Sequence, residues 1–272
     1  NVAKLLDHNN QYIAARAIWL LPHLGDAGVR KVKELLESKN SVYRLVAYRS
    51  LCRTGGKLFP HALKMAKDPS PGVRRDVALS MRAYPAKLAN PVLAEVAKKY
   101  NGVDKNYVES IGLGAAGKEA AVWKHLRDAL DMKSAEKWNK SFERITWRLG
   151  TSEAIPDLIV RVKSKKLSIE DRLFAVESIA FINHPHAPDA LFALGKSQTE
   201  SRIKQAITQW ILRRSLTAWN QYDLKNRLKS SGIYDPESTE LLSISTPEPS
   251  EKTKLKVGDI AKLHGDPHKG KT

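Results

Sequence analysis

Apolar positions fall at helical spacing in a series of short windows along the chain, and each window carries a small residue near its middle. The windows are AARAIWLL, VYRLVAYRSL, VRRDVALSM, NYVESIGLG, FERITWRLG, DRLFAVESIAFI and RIKQAITQWIL. Their small residues are Ala17, Ala47, Ala78, Ser110, Thr146, Ala175 and Ala206, separated by 30, 31, 32, 36, 29 and 31 residues. Arg44, Arg75 and Arg172 each stand three places before one of these anchors. A small residue in mid-helix suits a point where neighbouring helices come close.

A second helical series lies between the windows: PHALKMAK, PVLAEVAKK, PDLIVRVK and PDALFALGK, opening with Pro60, Pro91, Pro156 and Pro188. Proline is tolerated in the first helical turn, where its missing N–H would have no intrahelical acceptor. Turn sequences such as DPSPG and NHPHAP separate the helices, and no segment shows period-two alternation between hairpin turns. The pattern predicts an all-α chain, a right-handed α-solenoid of about seven helix pairs with a short irregular C-terminal tail. The long step from Ser110 to Thr146 predicts an enlarged connection around DMKSAEKWNK. The solenoid should run over residues 1–216, with a terminal helix or cap over 217–242. Residues 243–272 contain the linker-like SISTPEPSEKT.

Charge adds a second constraint. The 272 residues hold 46 Lys and Arg against 29 Asp and Glu, a formal charge of +17 that favours acidic partners. The single Cys52 excludes an internal disulfide and a thiolate metal cluster. No apolar run is long enough to cross a membrane, so this chain is not expected to insert into one. The chain opens at Asn1 inside helical sequence, without an initiator Met or signal peptide, and reads as a piece of a longer protein.

The Arg-then-small pattern, the prolines and the ~31-residue period resemble HEAT-like repeats. Three further segments, in order, are similar to the HEAT region of large exported bacterial proteins: KKYNGVDKNYVESIGLGAAGKE, QWILRRSLTAWNQYDLKNRLKSSGIYD and IAKLHGDPHKGKT. These are the membrane-bound dehydrogenases of planctomycete, verrucomicrobial and related bacteria. The resemblance implies a HEAT scaffold joining a sugar-dehydrogenase-like β-propeller to a c-type cytochrome domain, and an exported, periplasmic setting. In that family a segment similar to Leu263-His264-Gly265-Asp266, followed by Gly270-Lys271, leads into a C-x-x-C-H haem-attachment sequence. This chain ends before such a motif, so haem c is implied for a parent protein downstream of Thr272 and no cofactor is expected here. Asn101 stands where the resemblance leads one to expect an acidic residue.

Residues able to carry chemistry have plainer roles at hand. His184 with His186 and His264 with His268 lack the further ligands that a metal site needs. Cys52 has Arg49 and Arg53 close by but no positioned base, and is expected to be a small buried residue. Asp104, Glu109 and Glu143 are expected to cap helices or face solvent rather than to form an acid/base pair. No catalytic residue is therefore assigned. Arg44, Arg75 and Arg172 are expected to bridge successive repeats. Arg74, Arg144, Arg148, Arg213, Arg214 and Trp219 form the candidate interaction surface. Trp123, Trp138, Trp147, Trp210 and Trp219 interleave with cations in the second half, as a single-strand or alkylpurine DNA glycosylase-like binder would require. Packing as core is the expectation for Trp147 and Trp210. The function expected is a non-catalytic scaffold that docks the parent's own domains or an acidic redox protein; a basic nucleic-acid-binding solenoid is the alternative.

Overall fold

The computed structural model describes residues 2–54 and 59–235. Among them the chain is all-α, with fourteen α-helices joined by turns and single 3-10 turns and no strand. The odd members are α1 (Gln11–Leu20), α3 (Ser41–Arg53), α5 (Pro71–Ser80), α7 (Lys105–Gly114), α9 (Lys140–Leu149), α11 (Ile169–Phe181) and α13 (Ser201–Ser215). The even members are α2 (Asp26–Glu34), α4 (Phe59–Met65), α6 (Ala86–Lys98), α8 (Glu119–Ala129), α10 (Ile155–Lys163), α12 (His186–Ser197) and α14 (Leu224–Ser230). The seven anchor residues all fall on the odd helices.

Each odd helix packs on the next odd helix, from α1 through α13, to make one continuous row. In the second row α4 meets α6, α6 meets α8 and α10 meets α12, while α8 reaches the turn that opens α10. Cross-contacts such as α2–α3, α5–α6 and α10–α11 close the two rows around one apolar core. The result is a solenoid-like stack of seven helix pairs. Six anchors, Ala17, Ala47, Ala78, Ser110, Thr146 and Ala175, are buried, and Ala206 is half-buried.

The two rows start differently. Side-chain caps open α1 (Asn10), α3 (Asn40), α7 (Asp104), α9 (Asn139) and α11 (Ser168), each accepting a backbone N–H of the first turn. Ser70 precedes α5, which has Pro71 in its first turn. No such bond opens α2, α6, α8, α10, α12 or α14, and α13 is the odd helix besides α5 that lacks one. Pro156 and Pro188 sit in the opening turns of α10 and α12, as expected. Pro91 does not open α6, because the helix already begins at Ala86 and carries the proline in its interior. The long step is absorbed between α8 and α9, where residues 130–139 include the single turn Ala135–Lys137.

Counting from the caps identifies the braces between repeats. Arg44, four residues after Asn40, donates to the Ser38 carbonyl at 2.8 Å and the Lys39 carbonyl at 3.2 Å. It also grips both Asp68 oxygens at 2.7 and 2.8 Å. Arg74, four after Ser70, repeats the motif on the carbonyls of Asp68 and Pro69, and its Nε donates to Tyr107 at 2.8 Å. Tyr107 passes its own proton to the Val96 carbonyl at 2.9 Å. Arg172, four after Ser168, donates to the Val162 carbonyl at 2.9 Å. Arg75 does reach the next repeat, lying 3.8 Å from the Asp104 carboxylate that caps α7, but at 36% exposed it makes a looser bridge than the buried Arg74.

Close approach adds to the Arg74–Tyr107 hydrogen bond between α5 and α7. A Cβ at Gly114 would stand 2.1 Å from the Ala78 carbonyl oxygen, so only glycine admits this contact. The compact unit runs to Tyr234, so α14 belongs to the stack, with Leu224 and Leu228 buried. The linker and the segment leading to Thr272 lie outside the described residues.

Arg74→Ala should lower stability by about 3 kcal/mol, because it strands the buried Asp68 carbonyl and removes the donors to the Pro69 carbonyl and the Tyr107 oxygen. Arg75→Ala should cost less than about 1 kcal/mol, as expected for an exposed ion pair. Urea unfolding of both variants checks the claim, and equal losses would contradict it.

Candidate interaction groove

Four surface cavities line the odd row and share walls. The first, about 540 Å³, is bounded by Trp19, Arg49, Cys52, Arg53 and Asp76. The next, about 420 Å³, takes over Arg49 and Asp76 and extends to Arg75 and Glu109. Glu109 opens the third, about 580 Å³, where Tyr100, Val103, Lys105, Arg144 and Trp147 form the wall. Arg144 in turn leads into the fourth, about 410 Å³, with Glu143, Phe174, Glu177 and Trp210. One discontinuous groove thus follows α1 to α13.

Ion pairs fix part of its charge. Arg49 is bidentate on Asp76 at 2.8 Å for both bonds. Arg148 bonds Glu109 at 2.7 Å and lies so close to Gly112 that a Cβ there would meet its guanidinium at 2.4 Å. Arg148 is therefore a brace between α7 and α9 rather than a free surface group. Asp104 caps α7 through Tyr107 N–H at 3.1 Å. Asn101 accepts from the backbone N–H groups of Val103 and Asp104 at 2.9 and 3.0 Å, shaping the loop that borders the third cavity.

Beneath the groove, Glu143 and Arg161 form a buried ion pair, and Arg161 also donates to the Ala135 carbonyl. The guanidinium lies 5.2 Å from the Trp138 ring centre. Burial raises the Glu143 pKa against the pull of Arg161, and burial lowers that of Arg161 despite Glu143. Both directions say that desolvation exceeds the mutual attraction. Glu143 is neither a cap nor a solvated acid, contrary to expectation. It occupies in α9 the cap-plus-four position that arginine holds in α3, α5 and α11, with the cation supplied from α10. Lys140 adds contacts to Glu143 and Asp171.

The six candidate surface residues separate into three groups, one of which is the brace Arg148, paired with Glu109. Arg74 and Trp219 are buried, which corrects their assignment, and Trp219 donates its indole N–H to the Ile182 carbonyl at 3.2 Å. Trp123 and Trp138 are buried as well, while Trp147 and Trp210 are half-buried and only partly core. Arg144, Arg213 and Arg214 reach the surface without an ion pair among the described residues. Cys52 is exposed rather than buried, and the atoms around Sγ, with Asp76 beside it, push its thiol up to about 11. It is thus protonated at neutral pH and a poor nucleophile.

His184 and His186 touch ring to ring at 4.5 Å, and no group of three or more metal-binding side chains forms among the described residues. His264 and His268 lie outside them. No described helix is long and apolar enough to cross a membrane. No family model matches the sequence, and a search of the curated proteins finds no match.

Arg161→Ala should cost about 3 kcal/mol because it leaves the buried Glu143 with only the exposed Lys140 as a counter-charge. Glu143→Leu combined with Arg161→Met should recover most of that loss, since both desolvation costs vanish together. Denaturant melts of the single and double variants decide this, and a double variant no more stable than Arg161→Ala would contradict it.

Proposed function

We propose that this chain is a non-catalytic repeat scaffold whose odd-helix groove docks an acidic polypeptide. The observation that carries the reading is the groove itself, because its cavities share Arg49, Glu109 and Arg144 and so offer one extended track rather than one enclosed pocket. An extended track matches an extended ligand, the use to which stacked-helix surfaces are well suited. The net charge of +17 supports an acidic occupant by speeding encounter and disfavouring basic partners.

The resemblance to exported bacterial dehydrogenases gives the occupant a natural source. The acidic segment belongs to the propeller or cytochrome domain of a larger oxidoreductase, or to an acidic redox protein that meets it, in a periplasmic setting. Haem c belongs to the cytochrome domain in this reading. The residues here do not fit its attachment, since Cys52 is the only cysteine and no histidine follows it at the spacing a haem thioether site requires.

Nucleic-acid binding is the competing reading, supported by the charge and by cations interleaved with aromatics. The burial of Trp123, Trp138 and Trp219 removes three of the rings on which bases would stack. Binding should be compared near 150 mM salt, where the screening length is about 8 Å. The ligands are duplex DNA, DNA with alkylated bases, and isolated propeller and cytochrome domains of the resembling proteins. Domain binding that weakens with salt is expected. Release of free base, or DNA affinity tighter than about micromolar, would overturn the scaffold reading.

A further inference from the structure

Three arginines rest on aromatic rings without an ion pair among the described residues: Arg144 in the wall of the fourth cavity, and Arg213 and Arg214, three and four residues past Trp210 of that wall on α13. The Arg144 guanidinium lies 4.3 Å from the Phe174 ring centre, and that of Arg213 lies 5.6 Å from Trp210. Arg214 is shared between Phe181 at 5.5 Å and Trp219 at 5.7 Å. Each contact holds a guanidinium in place, and each is worth only about 0.5–2 kcal/mol. Arginines elsewhere in the interior behave differently. Arg44, Arg74, Arg161 and Arg172 all donate to carbonyls or carboxylates.

Arg214 is the anomaly. Its Nε is closed off from solvent and has no acceptor. Burial lowers its pKa, and no carboxylate counters that effect. A half-buried guanidinium with no carboxylate of the chain beside it carries a standing cost, which a carboxylate arriving on its solvent-facing side would offset. Glu177, an acid of the fourth cavity, faces Arg144, which partly counters the rise that burial causes in its pKa.

The rings beside these arginines are locked edge to face. Phe181 is 41% exposed and meets Trp147 at 5.5 Å and Trp210 at 5.3 Å, with interplanar angles of 62° and 67°. Guanidinium groups already lie over Phe181 and Trp210, and neighbouring rings take their edges. The platform therefore presents charged donors around an apolar ledge, which suits a carboxylate next to an apolar side chain better than a stacked base.

We infer that the ends of α11 and α13 form an anion-anchoring subsite, where Arg214 grips a carboxylate of an acidic polypeptide whose neighbouring apolar residue lies on Phe181. This rests on the docking function proposed above and adds the residue and the side-chain chemistry that anchor it.

The test uses the full chain and three fluorescein-labelled probes: an oligopeptide of alternating Glu and Leu, its Gln-Leu counterpart, and a single-stranded oligodeoxynucleotide of the same charge as the first. Anisotropy should show the Glu-Leu peptide binding most tightly. Arg214→Met should weaken it about tenfold, the scale of one lost charge-assisted contact. Its melting temperature should stay within a few degrees, because the loss of two ring contacts is offset by removing a half-buried charge whose Nε has no acceptor. Arg213→Gln, at an exposed position, should weaken binding by a smaller factor without altering stability. A peptide that binds Arg214→Met as tightly as the wild type would overturn the anchor and leave the groove standing. A melting temperature lowered by several degrees in Arg214→Met would assign the residue to the fold and overturn the anchor too. A wild-type preference for the oligodeoxynucleotide would overturn the docking reading as well.

Discussion

The stack depends on one recurrent contact, a guanidinium four residues after a helix cap that bonds the carbonyls just before that cap. Arg44 reaches back to Ser38 and Lys39, and Arg74 reaches back to Asp68 and Pro69 with the same spacing. These carbonyls lie in the short connection between an even helix and the odd helix that follows, where no helical N–H is available to them. One side chain thus fixes the angle between an even helix and the odd helix that follows it. Asp68 joins two such units by receiving Arg44 on its carboxylate and offering its carbonyl to Arg74. Tyr107 then continues the line from Arg74 to Val96. Hydrogen bonding of this kind sets the register, and the apolar core that fills in behind it supplies most of the driving force.

The same positions show how the pattern tolerates exchange. In α9 the cap-plus-four residue is Glu143, and the guanidinium arrives from Arg161 on α10. The charge is reversed while the bridge survives, at a desolvation cost recorded in the pKa directions of both partners. A rigid odd row follows from these braces, and a rigid row is what keeps four cavities aligned as one groove.

Much of this was legible in the sequence because helical periodicity is a local property. The small residues from Ala17 to Ala206 mark all seven odd helices, and Arg44 and Arg172 were found from them. Measured from the small residue, Arg75 rather than Arg74 aligns with Arg44 and Arg172. Ala78 lies one place further from its cap, Ser70, than Ala47 lies from Asn40. Measured from the caps, Arg74 falls into line, so the signal was present in the Ser-Pro start of α5. Pairs such as Glu143 with Arg161, and the burial of Trp219 under α13 and α14, join residues whose proximity arises only from the stacking of helices. No local pattern announces them. The unpaired state of Arg214 was invisible for the same reason, since it is a statement about what is missing in three dimensions.

The central claim is that ligand engagement belongs to the odd row. Amide hydrogen exchange of the full chain, with and without the Glu-Leu oligopeptide, tests it most directly. The account predicts added protection in α11 and α13 and along the groove-facing parts of α7 and α9, with α2, α6 and α12 unchanged. Protection concentrated on the even helices, or none at a peptide concentration that saturates binding, would contradict it.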